Sequence, residues 1–381
     1  MFSNRASISS ALQSFHLDDR MMCYNNFVPK LYNWCLSLGF TPGKIMPSRA
    51  FCSDESQGFP IILITKHFGA FPFNHGRVGG IVSIDRHGPH ADHGKDLLLL
   101  QASHVGYDPE TQAFGVYRRL HSEQEHASCS CGKIGRILEW YVTEYDYACE
   151  NIRLLRYEGR PAVLIDYQLI ANIRPEGLFL FFKNLVLGYT DELPPPLSTR
   201  STGHIFLAAD ELITRMGEEA WPQEGSVPIG KALVAEDFYF KHKGGHLDPF
   251  QDQMEHNLLA PMPWILTSPH PLLTAACANT MSEFDRAYRS LVQDTATHGR
   301  NLLFVAGLNI DISPNPGEEF PLTKFVPWAA YLQRADGTRK ILEQDELLEQ
   351  FGSVSATNPD QISLEKSIET MADKPEVIIR F

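Results

Sequence analysis

The sequence predicts an α/β protein whose strands, covered on both faces, fit a parallel sheet flanked by helices, with an inserted segment. Three observations predict it. Short, nearly continuous apolar runs, Phe59 to Thr65 and Leu97 to Ala102, have the length of strands covered on both faces, as parallel strands are. Other stretches repeat apolar residues every three or four positions, the period of a helix with one face in a core. Between Tyr157 and His246 this pattern gives way to Glu192-Leu193-Pro194-Pro195-Pro196, a stiff breaker within a stretch that reads as an insertion or subdomain. The expected organisation is therefore 1–156 as N-terminal helices and the first half of the main domain, 157–246 as the insertion, and 247–381 as its completion.

In chain order, Leu12, Phe15, Met22, Phe27, Leu31, Trp34, Cys35 and Leu38 predict helix over about 8–38, with Pro29 dividing it and Gly39 as a stop. A short strand is expected to run into Ala50-Phe51-Cys52. The runs 59–65 and 97–102 and the weaker Gly79 to Ile84 follow as strands, which puts His104 just past a strand's carboxyl end, where open α/β sheets place their sites. Gly132 to Leu155 carries Ile134, Ile137, Leu138, Tyr141, Tyr145, Ala148 and Ile152 at helical steps. Pro161 to Ile165 and Leu178 to Phe182 read as strands. Asp248-Pro249 opens a helix, Leu272 to Gln293 is another, and Asn301 to Ile310 is a buried strand. The tail, with Trp328 to Gln333, Asp336-Gly337 and Ile341 to Phe351, predicts a hairpin and a closing helix.

Composition narrows the function classes. At 381 residues, 43% hydrophobic, the chain can bury a sizeable core, and with 33 basic against 46 acidic residues its formal charge is −13. No Lys/Arg block stands out, which argues against nucleic-acid and anionic-membrane partners. No signal-peptide core and no apolar run of membrane-spanning length is evident, so the expected location is cytoplasmic. Seven cysteines, few and odd in number, fit reduced thiols better than a disulfide framework.

Three of the potential ligands stand apart: Cys52 in Cys-Ser-Asp-Glu, His104 in Ala-Ser-His-Val-Gly, and Cys131 in Ser-Cys-Gly. Two thiolates and an imidazole suit Zn²⁺, and three protein ligands leave a coordination position for water or substrate, which distinguishes catalytic zinc from structural zinc. Cys131 sits at the amino end of the expected helix, whose partial positive charge favours thiolate. That singles it out from Cys129.

These residues, in this order, resemble the limiting-CO₂-inducible protein B/C family, the group related to β-carbonic anhydrases and called the θ class. Cys52-Ser53-Asp54-Glu55 is similar to its Cys-x-Asp-Glu, and Phe73-Asn74, Gly79-Gly80 and Asp85-Arg86-His87-Gly88 to its next block. Ser103-His104-Val105-Gly106-Tyr107, Phe114 to Arg119 and Ser130-Cys131-Gly132 follow in sequence, with weaker similarity at Asp248-Pro249 and Asn301 to Ile310. The resemblance covers most of 20–155 and 247–340. It implies an α/β fold with a β-carbonic-anhydrase-like mixed, largely parallel sheet flanked by helices, a homodimer, Zn²⁺ on Cys52, His104 and Cys131, and reversible hydration of CO₂ to bicarbonate by zinc-bound hydroxide.

One position departs from the pattern. β-Carbonic anhydrases carry Cys-x-Asp-x-Arg at the first cysteine, and the position of that arginine is Ser56 here. The catalytic pairing then falls to Asp54 with Arg86. Asp54 would orient the zinc-bound hydroxide while Arg86 keeps the carboxylate from closing the fourth zinc position. Phe68, Phe71 and Phe73 are candidates for an apolar CO₂ pocket. His87, His90 and His93 form a His-x-x-His-x-x-His loop expected to be solvated and not a second metal site, and His67, His121 and His126 are possible proton carriers. Other readings of the same residues are a catalytically silent zinc protein that binds CO₂, bicarbonate or a protein partner, another zinc-dependent hydrolase, and a Cys52 nucleophile with His104 as base.

Overall fold

A computed structural model describes residues 5–83, 95–118, 128–171, 175–241, 249–314 and 322–372. The chain runs α1 (Arg5–Gln13), β1 (Met22–Cys23), α2 (Tyr24–Ser37), β2 (Ile45–Ala50), α3 (Gly58–Phe68), β3 (Phe73–Asn74), β4 (Asp96–Asp108), β5 (Ala113–Phe114), β6 (Val116–Tyr117) and β7 (Ser128–Cys129). It continues through α4 (Gly132–Asn151), β8 (Ile152–Tyr157), β9 (Arg160–Asp166), α5 (Tyr167–Ile170), β10 (Gly177–Leu180), β11 (Ser198–Thr199), β12 (Gly203–Leu207), α6 (Asp210–Met216), β13 (Ser226–Pro228) and β14 (Phe238–Lys241). The described remainder is α7 (Pro249–Leu259), α8 (Met262–Thr267), α9 (Pro271–Gln293), β15 (Leu302–Ile312), β16 (Leu322–Gln333), β17 (Arg339–Leu342), α10 (Gln344–Ser353) and α11 (Leu364–Ala372).

Contacts group the chain into two units, one of residues 14–131 with 280–381 and one of 2–13 with 132–279. The first holds a mixed sheet in the order β1-β16-β15-β4-β2-β3, with β17 on β16 and β5 on β4. Its centre is parallel, since β15, β4, β2 and β3 run the same way, and β16 closes antiparallel onto β15. On one face Phe27, Leu31 and Trp34 of α2, Leu63, Ile64 and Phe68 of α3, and Leu347 and Phe351 of α10 pack on Leu98, Leu100, Leu303 and Val305. On the other, Phe284 of α9 stacks on Phe304 at 5.3 Å. The second unit holds an antiparallel sheet, β11-β12-β9-β8-β13, the pair β10-β14, and α4 with its buried stripe of Ile134, Ile137, Leu138 and Tyr141. Among the described residues no helix is long and apolar enough to cross a membrane.

Several local expectations are corrected. The run 59–65 is not a strand but the middle of α3. Pro60 falls in the first turn, where a missing N–H costs nothing, and Gly69 at φ 70° caps the end by donating to the Thr65 carbonyl. A short apolar run has no period that separates the two states. Pro29 does not divide the N-terminal helix. It lies inside α2, whose buried Tyr24, Phe27, Val28, Leu31, Tyr32, Trp34 and Cys35 offset one lost hydrogen bond, and the break falls between α1 and α2 instead. Gly79 and Gly80, at φ 73° and 80°, form a left-handed turn over 78–80 in place of a strand. The helix begun at Gly132 stops at Asn151, and Ile152 to Leu155 join β8.

The aromatic trio also separates. Phe68 is core, edge-on to Tyr32, whereas Phe71 and Phe73 are exposed, so the three do not line one pocket.

Candidate metal centre

The site is assembled on the face of the sheet that carries the α2/α3 core. Parallel pairing sets Leu98 beside Leu303, Leu100 beside Val305 and His104 beside Asn309, so the apolar floor turns polar in register on both strands. His104 was expected beyond the end of β4 but lies within it. The strand runs on to Asp108 because β15 pairs with it from Leu302 to Ile312, and because Asp311 on β15 engages the buried His104. Cys52 follows β2, beyond Phe51. Cys131 follows β7 and immediately precedes α4.

Backbone contacts deliver both cysteines. Gly106 N donates to the Ser130 carbonyl at 3.2 Å, Ser130 N to Gly115 and Gly115 N back to Gly106, pinning the strand end before Cys131 onto β4. Gly79 N donates to Cys52 Sγ at 3.1 Å, so the left-handed turn serves the thiolate directly.

The outcome is a buried group in which ligand atoms of Cys52, His104 and Cys131 lie within 4.8 Å of one another. His104 Nδ1 is engaged with Asp311 Oδ2 at 2.8 Å, while its Nε2 is buried without a hydrogen-bond partner. An unpaired buried ring nitrogen costs free energy, and a cation held between it and the two sulfurs would satisfy it. The chemistry of the donors fits zinc, and among the described residues no further cysteine, histidine or carboxylate joins the group. The three side chains singled out in the sequence thus form one buried Cys-His-Cys group that could hold a metal ion.

Charge in the group is coupled. The hydrogen bond from Cys131 pulls the Cys52 thiol well below its usual range, against burial and with help from His104 and Gly79 N–H. Cys131 is correspondingly pushed up, first by Cys52 and then by burial. Burial opposes a charge on His104, but Cys131, Asp311 and Cys52 outweigh it and hold that imidazole well above its usual range.

Other expected residues fall as follows. Asp54 is half-buried and caps the short turn Glu55–Gln57, its Oδ1 accepting from Ser56 N at 3.4 Å, and among the described residues it makes no ion pair. Ser56 is buried and directs its hydroxyl to Asp311. Arg86, His87, His90, His93, His121 and His126 lie outside the described residues. Cys129 is exposed, unlike Cys131. Asp311 was missed. Its signal was available as Asn309 and Asp311, two polar residues at alternate positions of an otherwise apolar strand and hence on one face.

His67 is buried, and Asn358 Nδ2 lies 3.2 Å from its Nδ1. Burial, with Lys66 beside it, lowers the imidazole to about 4. In the unfolded chain it titrates near 6.5. Between those values the unfolded state binds a proton that the folded state refuses, so stability rises with pH across the window and falls on acidification. His75, depressed to about 3 by burial, acts in the same direction. Thermal melts of His67→Gln from pH 7 to pH 4 are expected to show a shallower loss than wild type, by on the order of 2 kcal/mol at the acid end. An unchanged slope would assign the acid loss to other groups.

Neither a family model nor any curated protein matches the chain. Among solved structures it is similar to PtLCIB4, a homologue of the limiting CO₂-inducible protein LCIB, at 12% identity over 88% of this chain and 99% of that one, with a TM-score of 0.49. A point mutant of PtLCIB4 matches at 12% identity over 87% and 97%, TM-score 0.48. LCIB itself matches at 13% identity over 88% and 98%, TM-score 0.44.

Proposed function

We propose that the chain is a zinc carbonic anhydrase that interconverts CO₂ and bicarbonate. The observation that carries this reading is the three-ligand group itself, two sulfurs and a ring nitrogen brought together in a buried site, with no fourth protein ligand among the described residues. Three ligands leave room for a reacting water, whereas a structural zinc takes four. Zinc held by Cys52, His104 and Cys131 would supply Lewis acidity that makes water a nucleophile, with the two thiolates placing that ionisation at mildly alkaline pH. The motif order around the three ligands favours CO₂ as the carbon attacked over the ester or amide of another hydrolase.

The chain's own residues would divide the remaining work. Asp54, two residues from Cys52, orients the attacking oxygen. On the motif order, Arg86 would hold the Asp54 carboxylate away from the metal. A homodimer in the cytoplasm, with CO₂ and bicarbonate as its small-molecule partners, completes the proposal.

A second reading, a catalytically silent zinc protein, is favoured by one specific observation. Ser56 stands where an arginine would hold Asp54, and its hydroxyl is committed to Asp311. Stopped-flow CO₂ hydration on the zinc-replete protein separates the two. Hydration rising toward alkaline pH is expected, with Asp54→Ala and Arg86→Ala retaining zinc and losing most of the activity. Zinc-replete wild type that hydrates CO₂ no faster than buffer, from mildly acidic to mildly alkaline pH, overturns the carbonic anhydrase reading and favours the silent protein.

A further inference from the structure

Asp311 is wholly buried on β15, and its carboxylate is ringed by donors. Its Oδ2 accepts from Ser56 Oγ at 2.8 Å and is engaged with His104 Nδ1 at 2.8 Å. Gln57 Nε2 reaches both oxygens at 3.0 and 2.9 Å, and Thr323 Oγ1 reaches Oδ1 at 3.4 Å.

The Gln57 amide has no freedom to turn round. Its NH₂ faces the acceptor oxygens of Asp311, so its Oε1 accepts from Asn309 Nδ2 at 2.7 Å, and Asn309 Oδ1 in turn accepts from Tyr24 Oη, also at 2.7 Å. The relay therefore has one direction, from Tyr24 through Asn309 and Gln57 to Asp311. A carboxylate surrounded by donors offers no proton, so the proton in the Asp311 bond must come from His104 Nδ1.

The geometry points to Asp311 as the positioning residue of the metal centre: it fixes the Nδ1 proton of His104 and turns Nε2 toward Cys52 and Cys131, and Ser56, Gln57, Asn309 and Tyr24 hold it in place. The inference rests on reading the triad as a metal site. It also gives Ser56 a task of its own, since its side chain supports the histidine ligand through Asp311 and does not serve Asp54.

The test pairs zinc affinity, by competition with a chromophoric chelator, with the ¹⁵N and proton NMR signals of His104 in histidine-labelled full-length protein. Asp311→Asn keeps the shape of the side chain but puts an NH₂ among donors and removes the charge. It is expected to weaken zinc binding ten- to a hundredfold, the usual range for losing such a partner. The Nδ1–H signal should move upfield as its charge-assisted bond is lost. Ser56→Ala, which removes one donor of several, should weaken zinc by a few fold and shift the signal in the same direction, and it decides the matter if Asp311→Asn fails to fold.

Unchanged affinity and an unmoved Nδ1–H signal in the folded Asp311→Asn protein would overturn the assignment while leaving the metal site intact. If wild type binds no zinc, the metal reading fails and the NMR signal alone decides. An upfield shift in the variant then upholds the Asp311–His104 coupling, and an unmoved signal removes it.

Discussion

Cys52→Ala, His104→Ala and Cys131→Ala are each expected to purify without metal, from a wild type carrying about one zinc per chain. The effect should be large because the affinity of such a site is concentrated in few bonds. Structural zinc sites bind with roughly 10–16 kcal/mol in total, so loss of one thiolate or imidazole of three removes several orders of magnitude of affinity. In each variant the remaining two ligands are also left buried, with no second pair of donors in the group to rebuild a site.

Cys129→Ala is the informative control. Cys129 is two residues from Cys131 and exposed, so its loss should leave zinc content unchanged. Metal analysis by atomic emission reads all four proteins. Full zinc in Cys131→Ala, or loss confined to Cys129→Ala, would show that the other thiol is the ligand. Because zinc binds the folded chain preferentially, wild type should also melt higher with metal than after chelation, by about 4 kcal/mol when zinc is a thousandfold above Kd.

What the sequence disclosed about this site depended on the kind of signal each residue carried. The three side chains of the Cys-His-Cys group were legible because cysteine and histidine in an ordered set are rare and chemically committed, and because helical periodicity after Gly132 put Cys131 at a helix start. The sheet was legible where apolar runs were long: β4 and β15 lie where Leu97 to Ala102 and Asn301 to Ile310 predicted them. Their true ends were hidden, since each continues through polar residues whose burial depends on the other strand. His104 and Asp311 reveal themselves as partners only when β4 and β15 are side by side.

Ser56 was read only as the absence of an arginine. Its positive role needs Asp311, 255 positions away, which no local pattern could supply. The α3 error has a different origin. A run such as Pro-Ile-Ile-Leu-Ile is apolar on every side, so neither period two nor period 3.6 can be recognised in it, and only Pro60 and Gly69 mark it as a helix.

The glycines of the motif blocks illustrate the same boundary, and they carry the last prediction. Gly106 and Gly132 both belong to the motif blocks, Gly106 two residues after His104 and Gly132 next to Cys131. The structure separates them. A Cβ added at Gly106 would fall 2.4 Å from the Val116 carbonyl oxygen and 3.0 Å from Ser130 Cβ, whereas one at Gly132 meets nothing within 4 Å. Gly106 is thus the point at which the segment bearing Cys131 is allowed onto β4, through the bond from Gly106 N to the Ser130 carbonyl.

Gly106→Ala must push either the 115–116 backbone or the Ser130 strand outward, and neither is a flexible side-chain end that can yield cheaply. Overpacking of this kind costs about 1–3 kcal/mol, and here the backbone that moves also carries Cys131 of the candidate site. The variant is expected to lose on the order of 3 kcal/mol of stability in urea and to bind zinc at least tenfold more weakly. Gly132→Ala should retain both native stability and metal. Equal zinc affinity in the two variants would show that Cys131 is placed by something other than the close approach of its strand to Gly106.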